Sequence, residues 1–259
     1  MSGKPFRMKR LFRDNKSLII SMDYYEELKG PSSLHYVYSV LEGLLVLEMV
    51  SGIVLDPGIV DKLIDRIPGD KALIIRADSK ARIRSPYKPK VKLIIDVEEA
   101  LALGADAIVS SLHIGSEYED ETIENTAFLA KYCRRYGLPL VVEVVVAQGL
   151  RESEALPVGV KLASEIGADI VKIPYVEPLT LLEELIDVSP VPVLVYEKPE
   201  YTSASKVLEV AYKSIHAGAS GIVVSRSIWS HDNPVKLVEA LGAIVYDNVT
   251  IEEALKILK

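Results

Sequence analysis

Residues 167–178 read "GADIVKIPYVEP", a glycine, an Ala–Asp step and then an apolar run carrying a single lysine, Lys172. The opening phrase recurs. "LGADAIV" precedes a strand-like run at 107, and "AGASGIV" precedes another at 221. In each copy the glycine is suited to end a helix in the left-handed conformation, and the next two residues turn into a strand. Helix, glycine, turn and buried strand is the repeating unit of a parallel α/β fold. Working outward, strands are predicted at 17–23, 52–56, 71–78, 105–113, 139–146, 168–175, 192–197 and 220–226. Helices are predicted at 34–49, 58–66, 97–103, 122–136, 157–166, 179–187, 204–217 and 234–240. Eight strand–helix units with no linker or shift in composition point to a (β/α)8 TIM barrel, a single domain spanning 1–259. A doubly wound open sheet leaves two or three strands unaccounted for. The last stretch, "AIVYDNVTIEEALKILK", reads as a strand-like piece and an extra C-terminal helix on the barrel exterior.

Composition narrows the class. The chain has 259 residues, 49% of them hydrophobic, and a net charge of −7. No apolar run approaches the roughly 20 residues of a membrane helix, so the hydrophobicity is expected in a parallel-sheet core rather than a membrane. The basic groups "KPFRMKRLFR" and "KARIRSPYKPKVK" lack interleaved stacking aromatics, which argues against nucleic-acid binding. The first also lacks the apolar core of a secretory signal. A lone cysteine, Cys133, excludes an intrachain disulfide and suits the cytoplasm. One glutamine against abundant Lys, Glu, Ile and Val matches a thermophilic composition. The four histidines lack ligand spacing, and there is no P-loop or GxGxxG, so neither a metal nor another cofactor is expected.

A barrel of this kind places its chemistry at the C-terminal ends of the strands. Asp23, Arg76, Asp78, Ser111, His113, Lys172, Tyr175, Tyr196, Glu197, Lys198, Ser225 and Arg226 fall there. Arg76 and Asp78 read as a solvated ion pair and His113 as a hydrogen-bonded rim histidine. Glu143, inside "VVEVVV", needs a partner if buried, and Lys172 is one candidate. Lys172 has two readings. Burial lowers a lysine pKa and frees the amine to attack a carbonyl, giving a Schiff base. Alternatively it snorkels, or pairs with Asp23 or Glu143.

"SMDYYEELKGP", "HIGSEYED", "GADIVKIPYVEP" and "GASGIVVSRSIWSHDNP" together resemble the DhnA-type branch of the DeoC/class I aldolase superfamily. That branch includes archaeal fructose-bisphosphate aldolases, aminodideoxyheptulosonate synthases and the autoinducer-2 thiolases. The resemblance implies that Lys172 is the Schiff-base lysine and Asp23 the aspartate beside the carbinolamine. It also implies ring-like homo-oligomers and a small carbonyl or sugar substrate. The departures are specific. The family's "DHG" histidine is Tyr24 here. Its "W-x-Y-P-R-G" tyrosine falls on Val146. The family's "A-G-G-P-K" on strand seven becomes Tyr196, Glu197, Lys198, Pro199, Glu200, and its "G-R-N" on strand eight becomes Ser225, Arg226, Ser227, which alters the glycines that close on phosphate. Arg226 and Lys198, with Ser225 and His113, are left to hold an anion or substrate, and Tyr24 and Tyr175, with Asp23, to move protons. The expected activity is a lyase that makes or breaks a carbon–carbon bond through an enamine. Lysine-dependent acyl or carbonyl transfer, and a non-catalytic homologue, are the alternatives.

Overall fold

In the computed structural model, residues 3–23, 34–79, 91–198, 200–201 and 203–259 are described. Eight parallel strands pair in sequence order and close into a barrel, with β1 (Ser17–Ser21) against both β2 (Gly52–Leu55) and β8 (Gly221–Val224). Between them lie β3 (Ala72–Arg76), β4 (Ala107–Ile114), β5 (Leu140–Val146), β6 (Ile170–Pro174) and β7 (Val193–Tyr196). The outer ring is α2 (Leu34–Leu45), α3 (Pro57–Leu63), α4 (Val97–Ala102), α5 (Glu119–Tyr136), α6 (Glu152–Ile166), α7 (Leu179–Asp187) and α8 (Ala204–His216). They follow α1 (Lys4–Leu11) and precede α9 (Arg226–Trp229), α10 (Pro234–Asp247) and α11 (Ile251–Ile257). The (β/α)8 barrel expected from the repeating phrase is the observed fold.

Strand side chains alternate between two cores, as a period of two demands. One set, with Leu18, Ile20, Val142, Val144 and Ile173, packs against the helices. The other, with Ile19, Val54, Ile74, Val109, Val141, Ile170, Leu194 and Val223, fills the barrel. Met8, Leu11 and Phe12, at the end of α1, join this inner set and cap the barrel floor. Arg10 and Lys4 tie the same helix to Asp106 and Asp169, each at 2.8 Å. The N-terminal basic group is therefore an amphipathic plug.

Two of the differences from the sequence reading concern α6 and α10. α6 begins at Glu152, and Pro157 lies inside it. The strand-like "AIVYD" is the end of α10, where Ala243, Ile244 and Val245 are buried. Periodicity does not separate a wholly buried helix from a strand over so short an apolar run.

Candidate active site

Above the apolar layers of the barrel the inward positions turn polar. They are Ser21 on β1, Arg76 on β3, Ser111 and His113 on β4, Glu143 on β5, Lys172 on β6 and Tyr196 on β7, with Asp23 and Asp78 just beyond their strands. Each is two residues along its strand, or a multiple of two, from a member of the inner core, so the alternation itself turns these side chains inward.

Arg76 organises the layer. It is wholly buried, and its guanidinium donates to three carboxyl groups. Asp23 Oδ2 accepts from Nε at 2.8 Å and Nη2 at 2.6 Å, Glu143 Oε2 from Nη2 at 2.5 Å, and Asp78 Oδ1 from Nη1 at 3.4 Å. Asp23 also accepts from the Ser21 hydroxyl, while Ser110 Oγ and the Ser111 amide donate to Asp78 Oδ2 at 3.0 and 2.5 Å. The expected solvated Arg76–Asp78 pair is thus a buried network. Burying these charges is tolerable because each one is met by an opposite charge or a hydrogen bond.

Lys172 enters the network through Glu143. The two residues are register partners on β5 and β6, and Nζ lies 3.2 Å from Oε1. Of the partners weighed for Lys172, Glu143 is the one placed against it, and Asp23 is joined through Arg76. On its other side Nζ sits over the Tyr196 ring, 4.9 Å from the centroid. Among the described residues, the carboxylates of Asp23, Asp78 and Glu143 share this layer with the Arg76 guanidinium and Lys172. The lysine meets a pocket of about 420 Å³, open to solvent and lined also by Ser21, Tyr196, Glu197, Lys198, Ser225 and Arg226. Burial pushes the Tyr196 phenol well above its ordinary range, and Glu143 and Glu152 push the same way. The phenol is a neutral donor at the pocket wall.

The other candidates divide. Ser225, Arg226 and Lys198 line the pocket, though Lys198 Nζ is held 2.8 Å from Glu152. His113 stands at the rim, edge-on to Tyr118. Burial lowers its pKa, against the pull of Asp78 and Glu143. Tyr175 is directed elsewhere. It follows the inward Pro174, so its ring lies in the outer core, edge-on to Tyr201, with its hydroxyl 3.3 Å from Glu177. Tyr24 lies outside the described residues. Val146 packs with Val144 on the helix side, and Val145 shares the inward face with Glu143. Sequence reading undervalued Arg76, Asp78 and Tyr196, although counting by twos from the inner core reaches Arg76 and Tyr196.

The geometry can be set beside known proteins. The model of the DeoC/LacD family of aldolases matches residues 34–231. The chain is 29% identical over 257 residues to 2-amino-3,7-dideoxy-D-threo-hept-6-ulosonate synthase 1 of Archaeoglobus fulgidus, covering 99% of this chain and 96% of that one. It is 30% identical to an uncharacterized aldolase of Saccharolobus solfataricus over the whole of both chains. Among solved structures, a Schiff-base-forming fructose-1,6-bisphosphate aldolase superposes with a TM-score of 0.80 at 27% identity, covering 93% of this chain and 99% of its own. An archaeal fructose-1,6-bisphosphate aldolase, solved with its catalytic lysine bound to the carbinolamine intermediate, gives 0.80 at 26% identity, over 93% and 98% of the two chains. Barrel, inward lysine and family match agree: the chain belongs to the DeoC/LacD family of aldolases.

Proposed function

We propose that this protein is a class I aldolase-like lyase that forms a Schiff base between Lys172 and a small carbonyl substrate. The observation that carries the reading is a strand lysine, 2% exposed, whose amine meets the pocket with a carboxylate 3.2 Å behind it. Glu143 takes a proton from Nζ, and the amine adds to the carbonyl carbon to give a carbinolamine. Glu143 returns that proton to the departing hydroxyl, and loss of water leaves an iminium, cationic at Nζ beside the Glu143 carboxylate. The electrons of the breaking carbon–carbon bond then flow into the iminium to give an enamine, while the departing fragment's hydroxyl passes its proton to the Glu143 carboxylate and becomes a carbonyl. Protonation of the enamine carbon and hydrolysis release the second product and regenerate the amine. The neutral Tyr196 phenol, whose ring lies under Nζ, donates to the carbinolamine oxygen. Asp23, held by Arg76 and Ser21, is a positioning residue for that guanidinium and, through it, for Glu143. The relatives add weight, since one solved structure of the same shape carries its intermediate on a lysine.

The test is reductive trapping. The protein is incubated with a panel of aldehydes and ketones, reduced with borohydride and mapped by peptide mass spectrometry. The expected adduct is on Lys172, is lost in Lys172→Arg and is strongly reduced in Glu143→Gln. Adducts confined to surface lysines, or none across the panel, would overturn the reading.

A further inference from the structure

Among the described residues that line the lysine pocket, Glu197 is the acidic one, and its side chain reaches toward the end of β8. One residue past β7, it sends its carboxylate across to the turn that follows β8. There Oε1 accepts from the backbone amides of Ser225 at 2.9 Å and Ser227 at 3.1 Å. Two convergent backbone N–H groups at the mouth of a barrel form a seat for an anion. Here the protein's own carboxylate occupies it.

A second observation is independent of that seat. Glu197 is 8% exposed, and its other oxygen, Oε2, is buried with no hydrogen-bond partner. The hydroxyl of Ser225 is likewise buried and unpartnered. The Ser227 hydroxyl, also buried, lies against the carboxylate and works against the rise that burial gives its pKa. Leaving such groups unmatched costs free energy, so an unmatched acceptor and hydroxyl at a pocket wall are placed for a ligand that completes them. The cluster offers an acceptor and the Ser225 hydroxyl, which suits a neutral hydroxylated group. A phosphate would have to displace Glu197 from its amides or lie against its charge. Of the cations nearby, Lys198 is already engaged by Glu152 at 2.8 Å.

We propose that Glu197 is a specificity-determining residue. It fills the amide pair with its own carboxylate, and Oε2 and the Ser225 hydroxyl receive a hydroxyl of the substrate, so the enzyme acts on unphosphorylated hydroxy-aldehydes or hydroxy-ketones. The substrate class rests on the Schiff-base reading of Lys172, whereas occupation of the amide pair does not.

The experiment has two arms. In the first, inorganic phosphate is titrated into wild type, Glu197→Gly and Glu197→Gln and followed calorimetrically. Wild type and Glu197→Gln, whose seats stay filled, are expected to show no saturable binding, and Glu197→Gly to gain at least about tenfold in affinity, equivalent to 1.4 kcal/mol. Glu197→Ser serves as the emptied seat if the glycine variant does not fold. Wild-type binding as tight as that of the emptied variant overturns the proposal. In the second, borohydride trapping compares dihydroxyacetone with dihydroxyacetone phosphate. Wild type is expected to favour the unphosphorylated ketone, with the ratio falling by about tenfold or more in the emptied variant. Equal or preferred labelling by the phosphorylated ketone in wild type overturns the substrate class. Phosphate binding gained only on emptying the seat, with no adduct from either ketone, sinks the imine chemistry alone and upholds the role of Glu197 at the amides.

Discussion

Lys172 is costly to place, and its surroundings show how the cost is offset. An ammonium inside a barrel needs a counter-charge, and Glu143 supplies it from the neighbouring strand. Glu143 in turn needs Arg76, and Arg76 needs Asp23 and Asp78. The same burial acts on the rim histidine. Its ordinary pKa is near 6.5 and burial lowers it in the folded protein. As pH falls through that ordinary value the unfolded chain takes up a proton that folded His113 declines. The stability linked to this residue is therefore full above it and lost as pH falls. The expected outcome is that His113→Gln loses less stability than wild type between about pH 7 and about pH 5. Urea melts at both pH values check this, and equal losses would remove His113 from the account. The lysine and its aspartate were legible as residues, but the guanidinium joining them was not. Nothing in "LIIRADS" tells a solvated pair from a buried hub.

At the scale of the element, β5 shows how alternation governs what a substitution can do. Glu143 and Val145 face the site, while Val144 and Val146 face α6, where a Cβ on Gly159 would meet Val144 at 2.4 Å. A phenol introduced at Val146 therefore lands in a packed layer. Val146→Tyr is expected to cost about 1–3 kcal/mol and leave carbon–carbon cleavage unchanged. Val145→Tyr projects toward the mouth and is expected to raise cleavage of a substrate that labels Lys172, by up to about 10²-fold. Thermal melts and single-turnover cleavage of the trapped substrate distinguish the two variants. A gain at Val146 alone would show that the strand end is rotated relative to this description. The expectation that position 146 holds the missing tyrosine came from spacing along a motif, and spacing does not report which face a side chain takes when strands end differently.

For the whole molecule, closure sets the constraints. At the seam a Cβ on Gly221 would lie 2.1 Å from the Ser17 carbonyl oxygen, so the join between β8 and β1 requires glycine there. The floor depends on α1, whose Leu11 is wholly buried beneath Ile19, Ile74 and Val109. Leu11→Ala is expected to cost about 2–5 kcal/mol. Phe6→Ala, three quarters exposed on the same helix, is expected to be nearly neutral. Denaturant midpoints of the two variants decide it. Equal effects would mean that α1 is not the floor of the barrel. No described helix is long and apolar enough to cross a membrane.

The sequence by itself determined the order of strands and helices, because burial on a period of two, helical periodicity and glycine stops are local properties. It also determined that Lys172 was out of place in its strand, since one charge among Ile170, Val171 and Ile173 is visible without a fold. Only the tertiary structure decided that Glu143 meets Lys172, that Arg76 holds Asp23, Asp78 and Glu143 together, and that Tyr175 faces away. Only there does Glu197 reach the amides of Ser225 and Ser227. These residues come from six strands or the loops just beyond them, most of them separated by tens of positions. Their contacts depend on strand register and barrel closure, which no short stretch of sequence encodes.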